Sequence, residues 1–531
     1  MKRFLLSMAL AAAFAAPVSA QWSQDPSQCV VASPDNTNNY GYEIQTNDNG
    51  ITYIFMQIPN NGTIEMRLQI LDKDGVKVLP EDGYLISAEK NQSWTKINHQ
   101  LIIDKDGNAI IAVFDFRTGN ECYTIYKFDE QGNELWNKTL SEGQANEALA
   151  AMSMVNTSDG SYLFAYEAYT YDDSPTCIYV YKLKKDGASA WSKPLVLKDA
   201  NGANDYTYPY LEDAGDGQAM LIYAKGSNQD LYARMIDIDG ENAWDEDVIV
   251  YRGGWAPSMP LYTMMNVYSA PEGGAFVAWH NPDNANGNYE NRLSYIKNDA
   301  TYGFSTGEEG TNISNDTFVS RMYPNVYYDK NEKAIYTIYR TFNQNYQNYQ
   351  GIYLQKMSLD GELLWGANGK GVIEIQDTIY CNNATIQGAK DGKIAVFYQT
   401  KDNRDNLSPV NSYIALYDKV GNQVQEPVNF STSKTIKNNL SSSQLINDEY
   451  YIVNWDENPS QNKELICLQR VFIDGSVTGI KDVNANSSKT LLRQETYSLS
   501  GERKQNLTKG INIVRNVYSD NNTSTSKVII K

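Results

Sequence analysis

GNAIIAVFDFRTGNECYTIYKFDEQGNELW, residues 107–136, reads as two strands and the start of a third. Residues 109–114 are continuously apolar, which suits a strand covered on both faces. A polar loop follows, then a second run rich in aromatic and β-branched residues. Asp129 to Gly132 then form a tight turn, where glycine accepts a positive φ at little cost. Leu135 and Trp136 open the next strand.

The same phrase recurs along the chain. It ends again at Trp191, at Trp244 and at Trp365, where residues 334–339 are an apolar run broken only by Thr337. The turn glycine is a ruler: Gly75, Gly132, Gly187, Gly240, Gly361, Gly421 and Gly475, roughly 53–60 residues apart apart from one double step. Inside that double step, Asn298-Asp299-Ala300 replaces the glycine turn. The count is therefore eight units, or seven to eight if the degenerate one is discounted. A lone sheet of this kind cannot bury both faces, whereas radial stacking can. The expected fold is all-β, a β-propeller of about eight four-stranded blades. A solenoid and serial sandwich domains are the alternatives, and the length of the repeat disfavours the solenoid.

Ring closure supplies a sharper expectation. The last unit reaches Gly475 and then lacks its Trp strand, while the N-terminal region holds an orphan, QWSQDPSQCVVAS, from Gln21. Trp22 is the missing landmark, so the N-terminal strand should complete the last blade and remove a sheet edge.

Residues 1–20 have the order of a secretory signal: Lys2 and Arg3, an apolar run from Phe4 to Pro17, and the small-residue site Val18-Ser19-Ala20. Export is expected, with the mature chain starting at Gln21. No cysteine follows the cleavage point, and no later segment reads as a transmembrane span. The net charge of −19 disfavours nucleic acid as a partner. It is compatible with a neutral glycan, a basic protein or calcium, and the plain reading is solubility outside the cell. Cys29, Cys122, Cys177, Cys381 and Cys467 are scattered and odd in number, so a disulfide scaffold is not expected and one or two bridges are the maximum.

The search for chemistry assigns no catalytic residue, no metal ligand set and no cofactor. The two histidines, His99 and His280, cannot make a His-rich metal cluster. His280 follows Trp279 at an expected strand end, where a loop-mouth histidine could be a ligand or a base, or simply a polar strand end. Two acidic turns, Asp104/Asp106 and Asp237/Asp239, invite calcium but lack the twelve-residue ligand spacing, and hairpin turns need no ion. Glycosidase chemistry needs two converging carboxylates, which spacing cannot pick from 64 acidic residues. Phe116, Tyr169, Trp279, Tyr346, Tyr349 and Trp455 near strand ends could stack on sugars, as could the loop 340–350, although ordinary packing explains aromatics equally.

The repeat resembles the propeller-like repeats of secreted proteins from Bacteroidetes-type bacteria, best at Asp115, Arg117, Gly119, Gly132, Leu135 and Trp136. The match is partial at Trp455-Asp456 and at Tyr353, Gln355, Gly361, Leu364 and Trp365. This resemblance implies architecture. The C-terminal segment resembles the sorting domain of type IX secretion cargo. Its features are Tyr497, Leu499 and Gly501, then Lys509-Gly510-Ile511-Asn512-Ile513-Val514, then the terminal Lys527-Val528-Ile529-Ile530-Lys531. That resemblance implies the type IX machinery as a partner and release or attachment at the outer-membrane surface. The expected organisation is a signal peptide (1–20), the propeller (21–477), a linker (478–490) and a small β-sandwich-like sorting domain (491–531). The expected function is a secreted or surface non-enzymatic binding protein for a glycan, a peptide or a host protein. A secreted polysaccharide hydrolase and a structural component of a surface assembly are the alternatives.

Overall fold

The computed structural model describes residues 22–34, 41–60, 62–89, 100–140, 147–170, 175–252, 265–282, 288–314, 319–343, 348–405, 408–460, 463–477, 491–498, 500–518 and 523–530. The export segment 1–20, the linker 478–490, His99, Tyr346, Leu499 and Lys531 lie outside them. The chain divides into two units, residues 1–479 and 480–531.

The first unit is a β-propeller. Eight four-stranded antiparallel sheets follow one another, and the strands of each, here a to d, pair in sequence order in the first seven. Blades 1 to 7 span residues 41–87, 101–139, 147–197, 206–251, 265–312, 320–376 and 379–431. Blade 8 takes strands a to c from residues 436–472 and its outer strand from Val30–Val31, which pairs antiparallel with Lys463–Phe472. The N-terminal strand thus closes the ring. Among the described residues no helix is long and apolar enough to cross a membrane.

The apolar run at residues 109–114 explains the stacking. Strand side chains alternate between faces. Ala109, Ile111 and Val113 pack on Tyr53, Phe55 and Leu68 of blade 1. Ile110, Ala112 and Phe114 pack on Met152, Phe164 and Tyr166 of blade 3. Each blade is a core layer for both neighbours, so its middle strand must be apolar on both faces.

The turn glycine and the Trp that follows it meet across blade boundaries. Trp136 lies on Gly187 and donates its Nε1–H to the Lys185 carbonyl at 3.0 Å. Trp191 lies on Gly240 and donates to Ile238 at 2.8 Å. Trp244 donates to Asn298 at 2.8 Å in the turn where Ala300 takes the glycine's place at φ +66°. Trp365 covers Gly421, and Leu79, Phe304 and Val428 cover Gly132, Gly361 and Gly475. The eighth joint is made by Trp22, which lies on Gly75 of blade 1 and donates to the Lys73 carbonyl at 2.9 Å. Glycine is required here twice over. Its φ is +81° at Gly75, and a Cβ there would stand 2.7 Å from the indole.

The second unit is one four-stranded antiparallel sheet, with Leu491–Ser498 between Arg503–Lys504 and Gly510–Tyr518, and Thr523–Ile530 at the far edge. Glu495 gathers Arg493, Arg503 and Arg515 around it. The fully buried Asn512 amide ties the Thr508 N–H and carbonyl together.

Trp22→Ala removes both the apolar clasp and the indole hydrogen bond at the closing joint. The expected cost is about 3–5 kcal/mol, read as a lower thermal unfolding midpoint. An unchanged midpoint would show that this joint does not hold the ring.

Candidate functional site

The candidate site is the central channel. The innermost strands a wall it, and at the end carrying the a–b turns it opens into a cavity of about 940 Å³. The wall is polar: Gln45, Asn47, Asp48, Asn156, Glu212, Asp213, Gln387, Ser441 and Asn454 face it beside a few apolar residues such as Ile44 and Ile102. Lys105 is the one cation among the described lining residues.

The sequence folds this way locally because its turns carry their own caps. In the Asp-x-x-Gly turns, the first Asp accepts N–H bonds from two and four residues on, as Asp104 does from Asp106 and Asn108 at 2.9 Å each. Asp72, Asp129, Asp237 and Asp418 do the same.

A ring of hydrogen bonds then stitches each blade to the next around the cavity. Asn47 donates to the Gly107 carbonyl at 3.1 Å, Asn156 accepts from Lys105 N–H at 3.1 Å, and Asp213 accepts from Ser158 N–H at 2.9 Å. Ser269 donates to Glu212 at 2.8 Å, Asn325 donates to Tyr268 at 3.3 Å and accepts from Ile386 N–H at 3.3 Å. Gln387 donates to the Ser442 carbonyl at 3.1 Å, and Gln444 donates to Asp48 at 2.6 Å. Together these bonds span all eight joints.

Farther along the channel, the inner strands of blades 3, 4, 6, 7 and 8 carry β-bulges. Ala151, Tyr208, Tyr323 and Asn439 have positive φ there. A bulge frees an N–H from the ladder, and a buried side chain of the preceding blade accepts it. Glu167 accepts from Tyr208 N–H at 2.9 Å, and Gln350 accepts from Cys381 N–H at 3.1 Å. Burial pushes the Glu167 carboxyl up to about 7, against the lowering effect of that bond. Burial likewise pushes Glu212 up to about 7, although Ser269 bonds to it. Its partial exposure is to the cavity it lines. Asp456 is also raised by burial, with Asn439 donating to it.

The residues singled out in the sequence are mostly structural. Asp104 is buried and already saturated: the Lys127 ammonium lies 2.7 Å away and the Tyr162 hydroxyl donates at 2.9 Å. Burial alone would raise its carboxyl, yet these partners hold it below the usual carboxylate range. It caps a turn and binds a lysine instead of an ion. Asp106 pairs with Lys185 on the surface. His280 lies inside the blade at 1 % exposure, not at a loop mouth, between the Tyr289 and Tyr323 rings. Burial pushes its imidazole down to about 4. Trp279 and Trp455 are core residues. Phe116 and Tyr169 are half-buried, and Tyr349 is exposed. The expected 340–350 loop is shorter than that: Arg340 lies in the strand Ala334–Phe342 and Gln350 opens the next one, and Arg340 rests against the Tyr323, Phe342 and Tyr380 rings. Asp115 and Arg117 pair with each other, and Ser87 donates to Asp115 at 2.6 Å, so the D-x-R-x-G phrase builds the b–c loop.

Sequence reading missed the buried carboxylates. The available signal was a charge inside an apolar strand, Tyr166-Glu167-Ala168 and Leu211-Glu212-Asp213.

No protein-family model and no curated protein matches the chain. Among solved structures, it is similar to the β-propeller domain of the Trilobed protease from Pyrococcus furiosus: 9% identity, 75% of this chain, 97% of that one, TM-score 0.37. It is also similar to the Pyrococcus horikoshii acylaminoacyl peptidase: 11%, 83% of this chain, 60% of that one, TM-score 0.40. A third is an endo-arabinase from Bacteroides thetaiotaomicron: 14%, 50% of this chain, 93% of that one, TM-score 0.29. None of the three sets an activity for this chain.

The raised carboxyls fix a pH dependence. Between about 4.5 and about 7, Glu167 and Glu212 keep a proton in the folded protein that the unfolded chain releases. The native state then binds more protons, so stability falls as pH rises through that window, by on the order of 1–3 kcal/mol per group. Glu167→Gln keeps an acceptor for Tyr208 and removes the titration. Its thermal midpoint should lose less than the parent's between pH 5 and pH 8, and equal losses would contradict the assignment.

Asp104→Asn leaves the Lys127 ammonium buried without its counter-charge. The expected loss is about 3–5 kcal/mol, with a midpoint that is indifferent to calcium or EDTA in both proteins. A calcium-dependent midpoint in the parent would restore the ion reading.

Proposed function

We propose that this protein is an exported, non-enzymatic binding propeller whose channel mouth takes a neutral, hydroxyl-rich ligand, a glycan in the first instance. The observation that carries this reading is the cavity wall: amides, hydroxyls and carboxylates from seven blades converge on one space of about 940 Å³. Such groups exchange hydrogen bonds with sugar hydroxyls, and the overall charge of −19 disfavours polyanions.

A second reading rests on Glu212. A carboxyl near 7 that faces a polar cavity is what a general acid requires, so a polysaccharide hydrolase is the competitor. Residues 21–531 on a glycan array, followed by calorimetry on the hits, are expected to give saturable binding without turnover. The double variant Gln45→Ala, Ser441→Ala should weaken binding at least tenfold at an unchanged thermal midpoint. Binding untouched by that variant sinks the channel site, and turnover abolished by Glu212→Gln moves the protein to the hydrolase class.

Export and sorting belong to the same reading. The support is the order of features in residues 1–20 and the terminal Tyr497, Gly501, Lys509-Gly510 and Lys527-Val528 pattern. Passage would then run across two membranes, the second step through type IX machinery, to the medium or the cell surface. Removing residues 497–531 should leave the propeller in the periplasm and clear it from the culture fluid and surface. Unchanged delivery would rule the sorting role out.

A further inference from the structure

The closing strand is short: only Val30 and Val31 pair with blade 8 in the ladder, opposite Leu468 and Cys467. One residue earlier stands Cys29, on the same side of the strand as Val31 and therefore diagonal to Cys467. The Cys29 sulfur, the Cys467 sulfur and a Glu457 carboxylate oxygen all lie within 4.8 Å of one another. Two cysteines separated by most of the chain thus meet at the point where the ring is fastened.

We propose that Cys29 and Cys467 form a disulfide that locks the N-terminal strand into blade 8.

The surroundings favour this over the other uses of such a cluster. Cys29 is partly exposed and Cys467 is fully buried, so a soluble oxidant reaches the first and the second follows. Closing a gap of under 4.8 Å to a bonded separation of about 2 Å is within the swing of the two side chains. A zinc site would need a third free ligand. Glu457 already accepts from the Trp455 indole at 3.0 Å and from the Ser433 hydroxyl at 2.6 Å. The Lys437 ammonium, fully buried, also occupies the neighbourhood, donating to the Val410 and Ser433 carbonyls at 2.6 and 2.7 Å. Its charge disfavours a divalent cation, and it only partly offsets the burial that pushes the Cys467 thiol up.

The chemistry is thiol–disulfide exchange with a disulfide donor, either a small oxidised dithiol or a disulfide oxidoreductase. Cys29 thiolate attacks one donor sulfur, forming a mixed disulfide and expelling one donor thiolate. Cys467 thiolate then attacks the Cys29 sulfur and expels the second. Two protein thiols become one disulfide, one donor disulfide becomes two thiols, and the two protein protons end on the donor sulfurs.

The test uses the full mature chain, residues 21–531, incubated with oxidised glutathione and alkylated without reduction. Peptide mapping should find the Cys29 and Cys467 peptides joined, with Cys122, Cys177 and Cys381 alkylated. The oxidised protein should melt at least about 3 °C above the same protein in a phosphine reductant. Cys29→Ser and Cys467→Ser should each melt where the reduced parent does and lose the response to reductant. Cys29→Ser, at the partly exposed position, keeps the test interpretable where Cys467→Ser perturbs the core. Both cysteines alkylated in the glutathione-treated parent, or a midpoint that ignores reductant, overturns the proposal. Stoichiometric zinc in the purified parent that Cys29→Ser loses overturns it in favour of a metal site.

Discussion

Each blade leans one large apolar side chain, tryptophan at five of the eight joints, on the left-handed corner of the next blade's c–d turn. A side chain at that corner would stand in the place of the neighbour's ring, so the turn must be bare and the neighbour must be flat or small. The repeat unit follows from this contact: a glycine and, four positions on, an aromatic residue, each serving a different partner. Where one half changes, the other adapts. Leu79 and Val428 fill the role of indole at two joints, and Ala300 accepts a positive φ at another. The ring closes because Trp22, at the opposite end of the chain from the other strands of blade 8, presents the same surface to Gly75.

Inside this outer belt lies the second one, the hydrogen bonds around the channel. The two belts differ in physical character. The outer is mainly apolar, rings and aliphatic side chains resting on bare turns. The inner is built from amides, hydroxyls and carboxylates, some of them held above their ordinary proton affinity by burial. Bulged inner strands leave backbone donors that no ladder can use, and an unsatisfied buried donor costs more than a buried neutral carboxyl. Placing Glu167 opposite the Tyr208 amide resolves one such donor and ties blade 3 to blade 4 at the same time.

The two ends of the ring are consequently unlike. The a–b and c–d turns share one end, several of them capped by their own aspartates, and they carry both belts. The b–c and d–a connections share the other end and vary widely in length, from the two-residue link 377–378 to the thirteen-residue link 88–100. Fastening the structure at one end frees the other from that duty. The cavity lies at the fastened end, where the polar wall is held in place on rigid neighbours.

The sequence by itself determined the repeat, the count of eight, the two-faced apolar strands such as 109–114, and the closing role of the N-terminal segment through the orphan Trp22. These are legible because each depends on local pattern: alternation, a turn glycine, a missing landmark. The candidate site was not legible. Gln45, Glu212, Gln387 and Ser441 come from four blades and share no spacing, since the channel is formed by the axis of a ring and not by any one segment. Burial also decided between readings that residue type left open. Asp104 binds Lys127 instead of an ion, and His280 lies in the core instead of at a loop mouth. The meeting of Cys29 with Cys467 required the closed ring, because only closure brings the two termini of the propeller onto one sheet.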